Sequence, residues 1–402
     1  MMKKILWISP YVPYDGVVHA GGKTHNYYIK YLHKSGQFDI HLISLAEKNQ
    51  KDKIDLGRYG ISYDVEVVNS NIFKNIYRMI YNLRSMFDSG HRLCQTILAY
   101  QYAALKKRII KYAKSNIPDI VIMQWTGAAF LMPVVKKLFP KAKTVIIEED
   151  VSFLGYERRY AEESNGLKKA HRKKLYENLK KQEIDLLRQS DYVVLNNEKD
   201  YKLLLDNGIH ESQMIVIPPF YQDYSGVERN GRSNSILFYG VMSRQENHEA
   251  AMWFVSNVMP LLEDVNVKFE VIGSNPREEL KKKESDRVRV RGYVEDVGKY
   301  FADCLCMVVP LRLGAGIKVK VLEGLSAGVP VLTSRIGIEG IPAIDGEDIF
   351  CCDKPYEYDK MIRCLYDSEE LRQKTSDSAR LFMKKTYNID GKLDELIKLI
   401  NI

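Results

Sequence analysis

Short apolar runs alternate with longer amphipathic ones along almost the whole chain, and that rhythm leaves few folds open. In the first half the strand-like runs are Lys4–Ser9, Asp39–Leu45, Asp64–Asn69, Asp119–Gln124, Thr144–Glu149, Tyr192–Asn196 and Met214–Pro218. Helical patterns lie between them. Leu98, Tyr102, Leu105 and Ile109 recur at the spacing of one helix face. A strand that must return parallel to its neighbour needs a crossover, usually a helix, so βα alternation predicts a parallel sheet covered by helices.

The rhythm pauses at 221–235, a polar stretch with two glycines and no periodicity that reads as a linker. It then restarts. Strands are expected at Ile236–Gly240, Val267–Gly273, Val288–Gly292, Cys306–Leu311, Val329–Ser334 and Asp348–Cys351. Helices fit Asn247–Leu262, Asp296–Ala302, Lys318–Ser326 and Tyr356–Lys374. The 402 residues suit two domains. The fold class is therefore α/β, with two tandem Rossmann-like doubly wound domains facing across a cleft. The boundaries expected are 1–222 for the first domain and 230–387 for the second. A final helix, with Leu393, Leu396, Ile397 and Ile400 on one face, is free to pack back on the first domain over 388–402.

Composition is globular, with 45% hydrophobic and 28% charged residues, and a net charge of +8 suits anions such as nucleotide phosphates without implying nucleic acid. The six cysteines, at 94, 304, 306, 351, 352 and 364, show no C-x-x-C or metal-ligand spacing and read as reduced thiols, with Cys351–Cys352 in a core strand. The apolar run Ile5–Ile8 is too short for a secretory signal, and no apolar run is long enough to span a bilayer. A cytoplasmic protein is expected, with peripheral contact at the inner membrane face open to it.

The sharpest chemical signal is PLRLGAGIKVKVLEGLSAGVP, Pro310–Pro330. A buried strand ends there, a turn carries Gly314 and Gly316, and a helix follows that Gly328 can end as its C′ residue. In an open α/β sheet ligands bind beyond the carboxyl ends of strands, where glycines admit a phosphate to backbone N–H groups. Arg312 and Lys318 flank the turn and suit a diphosphate. Glu323 stands on an otherwise apolar helix face, where a carboxylate needs partners; ribose hydroxyls or a basic neighbour would serve.

This segment resembles the C-terminal signature of the retaining glycosyltransferases of family 4, whose fold is the two-domain B type. The pattern R-x-G-x-G-x-K-x-K-x-L-E-x-x-x-x-G-x-P-V runs from Arg312 to Val331, and Phe238-Tyr239-Gly240, Val271-Ile272-Gly273, Gly292-Tyr293-Val294-Glu295-Asp296 and Gly337-Ile338-Glu339-Gly340 agree in order. The resemblance implies a donor ribose on Glu323 and a diphosphate on Arg312 and Lys318. The chain departs from the family at Ala315, where a second glutamate is usual. It departs again after the first strand of the second domain, where Arg244 alone stands for an Arg and Lys pair.

In the first half Gly21-Gly22 precede an amphipathic helix, an arrangement that suits an anion or serves as a plain tight turn. It resembles the glycine-rich loop that faces the donor in the same family. Glu148-Glu149-Asp150 crowd three carboxylates at a strand's carboxyl end. Glu149 or Asp150 takes the place of the family's reaction-centre histidine, to accept a proton or steady developing positive charge; a solvated loop paired to Arg158-Arg159 is the plainer alternative. Two further stretches, the helical face Ile72–Phe87 and the basic run Lys168–Lys181, suit either an ordinary helix surface or an acidic membrane holding a lipid-linked acceptor.

The expected activity is retaining transfer of a hexosyl-type sugar from a nucleoside diphosphate sugar to a hydroxyl acceptor, a glycan or lipid-linked glycan of polysaccharide biosynthesis. No cofactor is implied, and no metal, since no D-x-D sequence is present. A nucleotide-sugar epimerase or phosphorylase shares this plan. A dinucleotide oxidoreductase needs G-x-G-x-x-G, and Val319 stands where the third glycine belongs.

Overall fold

The computed structural model describes residues 2–17, 19–68, 96–230, 233–314 and 316–401. The chain divides into two compact units, Met1–Phe220 with Ile389–Ile402, and Tyr221–Asn388. Every strand-like run forms a strand, mostly trimmed by a residue or two at its ends.

The first unit carries β1 (Lys3–Ser9), β2 (Phe38–Glu47), β3 (Ser62–Val68), β4 (Ile120–Gln124), β5 (Lys143–Glu148), β6 (Tyr192–Leu195) and β7 (Met214–Val216) in one parallel sheet of order β3-β2-β1-β4-β5-β6-β7. Its central strands are apolar on both faces because helices cover both. Leu6 and Ile8 on one face and Ile5 and Trp7 on the other have no exposed surface. The described helices are α1 (Ala20–Lys34), α2 (Ala99–Tyr112), α3 (Trp125–Ala129), α4 (Met132–Leu138), α5 (Ser152–Ala161), α6 (Gly166–Gln189) and α7 (Glu198–Asp206). Sheet order reverses direction between β1 and β4, the switch point where crossovers leave a crevice.

The second unit repeats the plan. Strands β8 (Ser235–Tyr239), β9 (Lys268–Ile272), β10 (Val288–Gly292), β11 (Cys306–Val309), β12 (Val331–Thr333) and β13 (Phe350–Cys351) form a parallel sheet of order β10-β9-β8-β11-β12-β13, with its switch point between β8 and β11. Its helices are α8 (Gln245–Asn257), α9 (Glu278–Lys281), α10 (Gly298–Asp303), α11 (Val319–Ser326), α12 (Pro355–Asp367) and α13 (Glu369–Thr386). The last helix, α14 (Ile389–Asn401), belongs to the first unit. There Tyr31 Oη donates to the Asp394 carboxylate at 3.0 Å and to the Asp390 carbonyl at 3.2 Å.

Three expectations change. The single helix Tyr356–Lys374 is two, because Ser368 leaves helical geometry and its hydroxyl caps α13 by accepting from Leu371 N at 3.1 Å. The helix expected to reach Leu262 stops at Asn257 and gives way to a 3-10 turn, Met259–Leu262, with Pro260 in its first turn. The linker does not hang free: Tyr224 N donates to Ser326 Oγ at 3.1 Å, and Arg229 donates to the Cys304 carbonyl at 2.8 Å.

The Lys168–Lys181 run lies on α6, where several cations find local partners. Arg172 pairs with Glu163 at 3.1 Å and Lys180 sits over the Phe153 ring at 5.2 Å. The 72–87 face and Cys94 lie outside the described residues. Among those described, no helix is long and apolar enough to cross a membrane. Cys304, Cys306, Cys351, Cys352 and Cys364 are unbridged.

Candidate functional site

At the switch point of the second sheet, the glycine turn after β11 is built as its sequence requires. Gly314 and Gly316 have φ of 127° and 71°, a region that side chains rarely adopt, and Gly328 closes α11 at φ 70°. Lys318 caps α11 and bends back so that its Nζ donates to the Gly316 carbonyl at 2.5 Å. Ala315 lies outside the described residues.

Glu323 is 7% exposed in α11. Tyr239 Oη, at the end of β8, donates to one carboxylate oxygen, and Gln222 N donates to the other at 3.3 Å. Burial, then the Glu323 charge, holds the Tyr239 phenol well above its usual range, so it stays a donor. The carboxylate thus already has a phenol and an amide on it, with α11, β8 and the 221–224 segment meeting there.

Lys320 completes this group and was not singled out from sequence. It stands three residues before Glu323 and so shares its helix face. Its Nζ donates to Asn247 Oδ1 at 2.7 Å and lies over the Phe238 ring at 4.8 Å. Burial first, then the nearby Arg244 charge, pushes its ammonium down to about 7. The available signal was the K-x-K spacing. It puts neighbouring lysines on different faces, and only the fold decides that Lys320 reaches Asn247 and the Phe238 ring while Lys318 reaches the Gly316 carbonyl.

Of the two remaining predicted cations, Arg244 lies near enough to Lys320 for its charge to act there, and Arg312 faces elsewhere. Arg244 is the N-cap residue of α8, and its exposed guanidinium pairs with Glu246 at 2.6 Å. Arg312 lies over the Trp253 ring at 6.0 Å and lines a cavity of ≈ 270 Å³ with Asp353 and Tyr358, a cavity that Lys318 and Glu323 do not line.

In the first unit, Gly21 and Gly22 lie within the first turn of α1, not before it. His19 is the N-cap, its Nδ1 accepting from Gly22 N at 2.9 Å. A Cβ on Gly21 would collide with Glu149 Oε2, so the protein's own carboxyl occupies the position at this helix start. Glu149 accepts from Gln124 Nε2 at 2.8 Å and from the Trp125 side chain. Burial, helped by the charge of exposed Asp150, pushes Glu149 up to about 8. That shift favours the protonated carboxyl near neutral pH.

Glu148, fully behind it, accepts from Thr126 Oγ1 at 2.7 Å. The same hydroxyl lies 3.3 Å from Glu183, which accepts from Ser152 N and Phe153 N at 2.8 and 2.9 Å and so caps α5. Burial and mutual repulsion push Glu148 well above the carboxylate range, and burial carries Glu183 up to about 7. Ser152 Oγ, 2.5 Å from the Thr126 hydroxyl, joins the same cluster. Glu183 was not legible as a partner, being far along the chain within the basic helix.

Residues 233–368 match the model of the glycosyl transferases group 1 family. An uncharacterized glycosyltransferase of Methanocaldococcus jannaschii is 26% identical over 178 residues, 40% of this chain and 48% of that relative; the matched part therefore spans about half the relative's length. Both units together superpose on solved structures. Sucrose-phosphate synthase of Thermosynechococcus elongatus gives a TM-score of 0.71 at 11% identity, covering 99% of this chain and 98% of that one. The Anabaena HepE protein in complex with UDP gives 0.67 at 11% identity, covering 99% of both chains. The fold is the B-type glycosyltransferase fold, two Rossmann-like domains in tandem.

Proposed function

We propose that this chain is a retaining glycosyltransferase that takes a sugar from a nucleoside diphosphate sugar to a hydroxyl acceptor on a glycan or lipid-linked glycan. The observation that carries the reading is the convergence of Lys318, Lys320 and Glu323 with the Gly314–Gly316 turn at a sheet's switch point. The group 1 match over 233–368 spans this convergence. HepE, whose structure holds UDP, supports a nucleotide donor by analogy of fold.

In this reading Glu323 takes a ribose hydroxyl, exchanging the Gln222 amide for the ligand. Lys320 is held near neutrality only while no anion is present; a diphosphate raises its affinity for a proton and the lysine becomes a cation beside the leaving group. Lys318 swings from the Gly316 carbonyl to the same charge. Arg244, already close enough to act on Lys320, adds its charge; Arg312, on a separate cavity, joins only if its exposed side chain moves. Retention of configuration rests on the resemblance to family 4. The charges available from lysine make a metal unnecessary, so transfer survives a chelator.

The test is a thermal-shift panel of UDP, GDP and ADP sugars with EDTA present. One nucleotide series stabilises the protein, and Glu323→Ala and Lys320→Met each weaken that binding about tenfold or more, as expected for loss of a charge-assisted hydrogen bond. No shift with any series removes the donor site from this unit.

A further inference from the structure

We propose that the switch point of the first sheet is a stacking platform for a pyranose ring of the acceptor, with Tyr11 and Trp125 as its aromatic walls and the Glu149 carboxyl beside them to hold a ring hydroxyl. The three residues come from adjoining strand ends: Tyr11 follows β1, Trp125 follows β4 and Glu149 follows β5. Calling the bound ring the acceptor's rests on the transferase reading above; the platform itself does not.

Four observations converge. Tyr11 is 50% exposed, and its ring meets that of half-buried Trp125 edge-on, centroids 5.4 Å apart at 80°. Trp125 has φ 66°, an uncommon backbone state for a bulky residue and one that clusters at ligand sites. The indole is braced from within: fully buried His25 stacks on Trp7 at 5.4 Å and meets Trp125 edge-on at 5.5 Å. Neither ring nitrogen of His25 has a hydrogen-bond partner among the described residues, so what the fold uses is its ring, as a wedge behind the indole. Finally, the Trp125 side chain and Gln124 Nε2 both bond to Glu149, which ties the carboxyl to the aromatic pair.

The chemistry of the ligand follows from these groups. Aromatic faces accept an apolar surface, and a tyrosine or tryptophan offers one with a polar tip. A carboxyl beside them exchanges hydrogen bonds with hydroxyls and offers a phosphate no positive charge. A pyranose has both an apolar C–H face and a rim of hydroxyls; a lipid tail lacks the rim and a phosphate lacks the face.

The experiment is saturation-transfer NMR on the intact chain with methyl α- and β-pyranosides of glucose, galactose, mannose and N-acetylglucosamine, with glycerol and inorganic phosphate as controls. At least one pyranoside receives saturation, strongest on the C–H protons of one face, while the controls do not. Tyr11→Ala, a surface change, weakens that binding about tenfold, and Trp125→Phe, which keeps a ring, weakens it less. Binding unchanged in both Tyr11→Ala and Trp125→Leu overturns the platform, as does the failure of every pyranoside. The nucleotide thermal-shift panel runs alongside. Glycoside binding without a nucleotide shift keeps the platform and sinks the donor reading; a nucleotide shift without glycoside binding does the reverse.

Discussion

Glu148 and Glu183 show how far one residue's chemistry departs from its type. Each would be ionised at neutral pH in an unfolded chain, yet in the fold they are buried together around Thr126. Their folded-state affinities for a proton are raised, so the folded protein binds more protons than the unfolded one above the usual 4.5. Stability contributed by the protonated pair is therefore full below about 4.5 and declines as pH rises toward 8. Glu148→Gln keeps the shape and cannot ionise. It is expected to match or slightly trail the parent at pH 5 and to exceed it at pH 8, read as unfolding midpoints at the two pH values. Lys320 adds a pH dependence of opposite sign above 7, but it is common to both proteins. At this scale the sequence was partly legible. Glu323 betrayed itself as a carboxylate on an apolar helix face. Lys320 did not, because nothing local tells which of two lysines two residues apart will meet Asn247.

Among elements, α1 carries the clearest conflict between local preference and tertiary need. Glycine in a helix costs about 0.5–1 kcal/mol relative to alanine, and α1 accepts two in its first turn. His19 caps the turn, but the reason for Gly21 is the Glu149 carboxyl lodged against its Cα. Gly21→Ala is thus expected to destabilise the parent and to stabilise a Glu149→Ala background by about 0.5 kcal/mol, a change of sign that a double-mutant cycle in urea measures. If alanine at 21 destabilises both equally, Glu149 is not what requires the glycine. From sequence the paired glycines read as a turn before a helix with room for an anion. The turn is helical and its anion position holds the protein's own carboxyl. Periodicity located the helix; it carries no information on what arrives from β5.

At the level of the whole molecule, the chain ends in a different unit from the one it has just completed. Leu393, Leu396, Ile397 and Ile400 of α14 are all buried in the first unit, at 3% exposure or less. Each is worth roughly 1.5–3 kcal/mol when buried, so truncation after Asn388 is expected to lower the first unit's melting temperature sharply and to raise binding of a hydrophobic dye, leaving the second unit's transition in place. A single unshifted transition would show that α14 contributes little. The helix and its apolar face were plain in the sequence, but its destination was not, since an apolar face specifies that it must be covered and not by what. The same division runs through the protein. Strand and helix periods are local properties, and so the alternating parallel plan, the glycine turn after β11 and the exceptional carboxylate at 323 could be read from residue order alone. Which carboxyls are buried together, which partner each lysine takes, where Arg312 points and what fills the start of α1 depend on residues distant in sequence. Burial and repulsion between them exist only once the sheets have formed, and tertiary structure alone decided those.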